Sequence, residues 1–148
     1  MTPHPRTAEC LLPAVGASVS QARALVRREL DRWGIPSLID DCTLIVSELV
    51  TNAVRHGGSA LALRLVGGRG WVYGEIYDPG DGVPRPREAG ADATDGRGLL
   101  IVATLAGDWG VAHPSRGGKT VWFVAGEGAP ACRASTAPVG ADSLTSVC

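Results

Sequence analysis

The stretch Glu48-Leu-Val-Thr-Asn52-Ala-Val-Arg-His56 decides how the rest of the chain is read. It lies inside a longer apolar-periodic segment, from about Leu38 to His56, whose spacing predicts a helix. Steps of four place Glu48, Asn52 and His56 along one slowly drifting stripe of that helix. Ile45, Leu49 and Ala53 share the side, so the stripe faces inward or into a cleft. A carboxylate and a carboxamide on a semi-buried face are costly to desolvate unless something pairs with them. A satisfied polar patch on a core helix is one answer. A hydrated divalent cation carrying phosphates is another, because Mg²⁺ takes few protein oxygens and keeps several waters.

Two motifs downstream bear on that choice. Tyr77-Asp78-Pro-Gly80-Asp-Gly82-Val-Pro follows the alternating run Trp71-Val-Tyr-Gly-Glu-Ile76, which predicts a strand. An Asp followed by two alternate glycines makes a turn. It also suits a purine, since a carboxylate accepts an exocyclic amine and glycines let backbone approach a flat ring. The second motif is Asp95-Gly96-Arg97-Gly98-Leu99-Leu-Ile-Val102. There a Gly/Ala-rich segment, Arg85 to Thr94, runs into an apolar helix predicted from Leu99 to Ala106. Such a start exposes backbone N–H groups at a positive helix end, which suits phosphate, although any helix begins this way.

These motifs, in this order, resemble the N box and the two glycine boxes of the GHKL ATPase/kinase superfamily, which includes gyrase, histidine kinases and the MutL proteins. Gly117-Gly118-Lys119-Thr120-Val-Trp-Phe is similar to the family's last box, and the resemblance covers roughly Ala8 to Gly126. The compact form looks most like the bacterial anti-sigma-factor serine/threonine kinases, and their Glu-Leu-Val-Thr-Asn-Ala-x-x-His-Gly pattern is met in full at 48–57. The resemblance implies an α+β two-layer sandwich of the Bergerat type, with a mixed, mostly antiparallel sheet and helices on one face. It implies ATP and Mg²⁺ as cofactors. It implies transfer of the γ-phosphate to Ser or Thr of an anti-anti-sigma-like (STAS-type) partner, and sequestration of a sigma factor. A homodimer is one assembly it allows.

Carried over position by position, the resemblance makes Asn52 the Mg²⁺ ligand and Glu48 the general base, with a purely metal-organising Glu48 as the alternative. Asp78 would read the adenine amine, Gly80 and Gly82 would let base and sugar pass, and Thr120 would add a hydroxyl near Asp78. Gly96 and Gly98 would give N–H groups to the phosphates. Arg55 and Arg97 would contact phosphate or stay solvated, and His56 would touch ligand or merely end its helix. Lys119 reads as a surface lysine. A short Gly/Ala-rich lid, with no dimerisation-and-histidine helices, sensor or transducer, points away from a self-contained histidine kinase and from the gyrase or MutL type. A non-catalytic ATP-binding module and a slow ATPase remain as alternatives.

Composition sets bounds on this reading. At 148 residues the chain is one domain with one sizeable core. A net charge of −1 and scattered arginines give no case for direct nucleic-acid binding. No apolar run is long enough for a membrane, and Met1 to Glu9 is Pro-rich without the apolar core of a secretion signal, so a cytoplasmic location is expected. Cys10, Cys42, Cys132 and Cys148 are too dispersed for a zinc site.

The pattern predicts the order β-α-α-β-β-α-β-β. Cys10-Leu-Leu-Pro reads as an edge strand, Ser18 or Ser20 as the cap of the first helix, and Gly34 as its stop. Pro36-Ser37 opens the second helix. Leu61 to Val66 is a strand, Gly67-Gly-Arg-Gly70 a hairpin loop, and Trp109 to His113 and Thr120 to Ala125 are the last strands. Residues 1–7 read as a flexible N-terminus and 8–126 as the ATP-binding domain. After Gly126 the composition turns to Ala, Pro, Ser, Thr and Gly, which predicts a disordered, dispensable tail over 127–148.

Overall fold

A computed structural model describes residues 5–56, 60–80, 100–115 and 117–129. The chain runs β1 (Arg6–Leu12), α1 (Ala17–Arg32), a 3₁₀ turn (Pro36–Leu38), α2 (Ile39–His56), β2 (Leu61–Gly68) and β3 (Trp71–Asp78). A helical stretch over 100–105, β4 (Asp108–Ala112) and β5 (Lys119–Gly126) complete it. The sheet order is β1-β2-β3-β5-β4, and all four pairings are antiparallel. The α+β sandwich is therefore the fold. The sheet expected to be mixed is antiparallel throughout the described strands; of the start expected to be flexible over 1–7, Arg6 and Thr7 belong to β1, while 1–4 and the tail from 130 lie outside the described residues.

Local chemistry sets the element ends. Gly34, at φ 75°, ends α1. Its N–H bonds to the Asp31 carbonyl at 3.1 Å, and Ile35 N–H reaches back to Leu30 at 3.0 Å. This pair of bonds satisfies the last helical carbonyls, with Ile35 buried against the helix. The other end of α1 departs from expectation. Gly16 is the capping residue and offers no side chain, and Ser18 lies inside the helix. The Ser18 hydroxyl instead donates to the Pro13 carbonyl at 2.5 Å, tying α1 to the end of β1.

The hairpin between β2 and β3 is tighter than expected. Its turn is Arg69-Gly70, with Gly70 at φ 80°, while Gly67 and Gly68 belong to β2. Both glycines accommodate tryptophans. A Cβ on Gly67 would lie 2.8 Å from Trp33 Cζ3, and one on Gly68 would lie 2.5 Å from Trp71 Cζ2. These glycines hold rings where the motif suggested only a loop.

One apolar cluster joins the layers. Ala22, Val26 and Leu30 of α1 and Ile45, Val46, Leu49 and Val50 of α2 pack with Leu63, Leu65, Val72, Ile76 and Phe123 of the sheet. Gly74 lies between Leu65 and Phe123, and a Cβ there would stand 2.5 Å from Phe123 Cζ and 3.2 Å from Leu65 Cδ2.

The opposite face of the sheet carries a second cluster, Val66, Trp71, Tyr73 and Trp122. Beside it Arg64 Nη1 donates to Glu75 Oε1 at 3.3 Å, with both side chains fully buried. Tyr73 OH donates to Glu75 Oε2. Burial is the largest influence on Glu75 and pushes its carboxyl up to about 7, against the opposing pull of Tyr73 and Arg64.

Two outcomes follow from this packing. Gly74→Ala should lower the unfolding free energy by about 1–3 kcal/mol in urea titration, because the fully buried Phe123 ring would have to shift to admit the new methyl; equal midpoints would show that the ring can slide. For Glu75, a folded-state value above the unfolded one means that the folded chain holds the extra proton. Its contribution is thus present in full below the usual carboxylate range and is lost as pH rises through about 7. Glu75→Gln, which keeps an acceptor for Tyr73 and Arg64, should remove that part of the stability loss between pH 4.5 and 8 in parallel thermal melts. Identical pH slopes for the two proteins would contradict it.

Candidate functional site

The α2 helix contributes the first half of the site. Its buried stripe includes Cys42, Ile45, Val46, Leu49, Val50 and Ala53. This stripe fixes the helix about its axis. Glu48 and Asn52 then fall half-buried on the flank next to Ile45, one turn apart, and Arg55 is exposed. Among the described residues no side-chain hydrogen bond engages Glu48 or Asn52. Their neighbours are settled differently: Ser47 Oγ donates to the Thr43 carbonyl and Thr51 Oγ1 to the Ser47 carbonyl, each at 2.7 Å. These hydroxyls answer to the helix itself, which leaves one carboxylate and one carboxamide presented outward.

The direction of α2 sets which end of the sheet these groups reach. Leu38, just before α2, approaches the Gly126 end of β5, where a Cβ on Gly126 would stand 2.9 Å from Leu38 Cδ1. Gly126 pairs with Trp71 at the start of β3. From there α2 packs over β3 and β5. Helix and strand advance at about 1.5 and 3.3 Å per residue, so the Asn52 turn arrives at roughly the level of the β3 C-terminus. That is where Asp78 lies.

Asp78 is the last residue of β3 and is largely buried. Its Oδ1 accepts the Gly80 N–H at 2.9 Å, while Gly80 turns the chain at φ 66°. One carboxylate oxygen is thereby committed to the turn. The turn reading of this motif is met by Oδ1 alone.

The last strand closes the floor of this corner. Lys119 stands opposite Asp78, and Thr120 stands opposite Tyr77. Alternation along a strand therefore sends the Lys119 and Asp78 side chains to one face and Thr120 to the other. The Thr120 hydroxyl, expected near Asp78, is one register step away from it, fully buried, and has no hydrogen-bond partner among the described residues. Lys119, read from sequence as a surface lysine, is half-buried on the Asp78 side. Gly118, at φ 83°, lies so close to Asp78 that a Cβ would stand 2.6 Å from the Asp78 carbonyl oxygen. A glycine jammed against a partner strand is the signal for this contact, and it is visible only once the register is known.

By element length, Glu48 and Asn52 thus come to roughly the end of the sandwich where Asp78 and Gly80 lie. Gly82, Gly96, Arg97 and Gly98 lie outside the described residues, as does the His56 side chain. Among the described residues no group of three or more His, Cys, Asp or Glu side chains is arranged to hold a metal ion. A lone carboxamide with a carboxylate one turn away fits a cation that arrives with phosphate oxygens rather than a resident metal. No described helix is long and apolar enough to cross a membrane.

The match to known proteins agrees with this geometry. A model of the histidine kinase-like ATPase domain matches residues 12–125. The chain belongs to that family. The matched span begins at the last residue of β1 and ends one residue before the end of β5, so it takes in α2, the Asp78 turn and the closing strand. Domains of the family bind ATP, generally with Mg²⁺, and couple it to ATP hydrolysis or phosphotransfer. No curated protein matches the chain.

The committed Oδ1 of Asp78 gives a way to separate turn from ligand. Asp78→Asn keeps an oxygen for Gly80 N–H but places an N–H donor where an exocyclic amine would bind. Loss of a hydrogen bond to a charged group costs about 1.5–3 kcal/mol. ATP binding should weaken by roughly tenfold or more in titration calorimetry, with an unchanged circular dichroism spectrum. Unaltered affinity would remove Asp78 from the adenine site.

Proposed function

We propose that the protein is an ATP-dependent serine/threonine kinase of the anti-sigma type. It would transfer the γ-phosphate of ATP to a hydroxyl on an anti-anti-sigma-like (STAS-type) protein and hold a sigma factor in one of its states. The observation that carries this reading is the pair Glu48 and Asn52, one turn apart on the open flank of α2 and directed to the Asp78 end of the sheet. Phosphoryl transfer needs chiefly alignment and charge neutralisation, so one metal-positioning oxygen and one carboxylate suffice. Asn52 would hold Mg²⁺, which supplies charge neutralisation on the phosphates. Glu48, half-buried beside it, would accept the proton of the attacking hydroxyl.

A non-catalytic ATP-binding regulator uses the same Asn52 and Asp78 and leaves Glu48 idle. A slow ATPase uses Glu48 toward water. The three readings separate at this carboxylate and at the acceptor.

Loss of a positioned base typically costs about 10²–10⁴-fold in rate. Glu48→Gln should therefore keep ATP and Mg²⁺ affinity within about threefold while phosphate transfer from labelled ATP to a partner Ser or Thr nearly disappears. Lost nucleotide binding would make Glu48 a metal-site organiser. ATP-dependent partner capture by the wild type without any transfer would establish the non-catalytic regulator.

A further inference from the structure

Two opposite charges stand side by side at one end of the sheet. Asp78 ends β3, and Lys119 opens β5 directly across from it. Paired residues of neighbouring strands send their side chains to the same face, with Cβ atoms about 4.5–5.5 Å apart. That face is the one beneath α2, since Ile76 and Val121, the next pair along it, pack in the first cluster. Leu63, opposite Ile76 on β2, packs there too. The two charges therefore sit at the margin of an otherwise apolar patch. Thr120 lies on the other face, so the polar side chain that β5 brings beside Asp78 is Lys119.

Backbone contacts fix where this lysine starts. A Cβ on Gly118 would stand 2.6 Å from the Asp78 carbonyl oxygen and 2.9 Å from Pro79 Cα. The chain thus enters β5 in direct backbone contact with the Asp78 turn, and Lys119 is the next residue. Tyr77 OH donates to the Gly117 carbonyl at 3.1 Å, which ties down the same approach. Among the described residues no hydrogen bond or ion pair engages the Lys119 ammonium. A lysine offers three N–H donors on a flexible four-carbon stem, so it can serve a ligand atom at the Asp78 edge.

The purines differ most at their 6 position. Adenine carries an amine there, which donates, whereas guanine carries a carbonyl oxygen, which accepts. Hypoxanthine, the base of ITP, carries the same carbonyl. A carboxylate by itself accepts the amine and sets like charge against the carbonyl. A carboxylate with an ammonium beside it meets both, the amine going to Asp78 and the carbonyl oxygen to Lys119. We propose that Lys119 is a second reader of the base and opens the nucleotide site to 6-oxopurine triphosphates, GTP and ITP, as well as to ATP. The proposal rests on the reading of the Asp78 end as the base site, and it does not depend on the acceptor of the phosphate.

Titration calorimetry of the full chain, with Mg²⁺ and each of ATP, GTP and ITP, tests this without any phosphate transfer. The wild type should bind the two oxopurine nucleotides within about tenfold of ATP. A hydrogen bond from a charged group carries roughly tenfold or more in affinity. Lys119→Met keeps the stem and removes the donors, so it should lower GTP and ITP affinity about tenfold or more relative to ATP. Asp78→Asn should shift the ratio the other way, because the new amide donates where the carboxylate could only accept. Wild-type binding of both GTP and ITP more than about tenfold weaker than ATP overturns the proposal. So does an equal loss of all three nucleotides in Lys119→Met, which puts the ammonium on the phosphates. An unaltered ratio in that variant leaves the ammonium in solvent and overturns it as well. Failure of the underlying base-site reading is told apart by Asp78→Asn, which would then leave ATP affinity unaltered and overturn both. Absence of kinase activity alone would move none of these ratios.

Discussion

Everything at the site depends on the rotational locking of α2. A helix with one wide apolar stripe has a single favourable orientation on a sheet, since each buried Leu or Ile side chain is worth about 1.5–3 kcal/mol. Ile45, Val46, Leu49, Val50 and Ala53 supply that stripe. Turning the helix by one residue, about 100°, would expose several of these and bury Glu48 without a partner. Among the described residues, the core aims the carboxylate and carboxamide with no hydrogen bond devoted to the task. The 3₁₀ turn at Pro36–Leu38 fixes the other variable, the position of α2 along its axis, by setting Leu38 against the end of β5.

This arrangement places chemically opposed demands on neighbouring positions, and the chain meets them by register. Asp78 closes a strand whose other end, Trp71, sits in an aromatic cluster. Along eight residues β3 passes from an indole-lined surface, through a sealed Arg–Glu–Tyr group, to a carboxylate at a glycine turn. In that group Glu75 takes bonds from Arg64 and Tyr73, while Arg64 Nε and Nη2 are buried with no hydrogen-bond partner among the described residues. At Asp78 one carboxylate oxygen accepts a backbone N–H from Gly80, which offsets part of the cost of its burial. A nucleotide is suited to such a corner, since it brings its own cation and needs from the protein only an edge to recognise and a helix flank to align it.

Much of this was legible in the residues. The 3.6-residue period located α2 to within a residue, and the alternation around Trp71 to Asp78 located β3. Ordered glycine motifs then gave the family, which periodicity alone never does. What escaped reading is equally specific. Gly67 and Gly68 look like a loop because glycine is the usual turn residue; their role beneath Trp33 and Trp71 requires knowing which rings lie above them. Ser18 looks like a cap, but a hydroxyl two positions further along the helix finds the Pro13 carbonyl first. Lys119 and Thr120 differ by one register step, and only the pairing with β3 decides which of them shares the Asp78 face.

The Arg64–Glu75 pair was the least legible feature, and its reason is general. Sequence patterns equate charge with solvent, so an Arg in β2 and a Glu in β3 mark an open face. They are separated by eleven residues and meet only because the Arg69-Gly70 turn sets them opposite one another. Once paired they neutralise each other, and Tyr73 takes the second carboxylate oxygen. The alternation that signals a two-layer sandwich then comes from residues that are wholly buried.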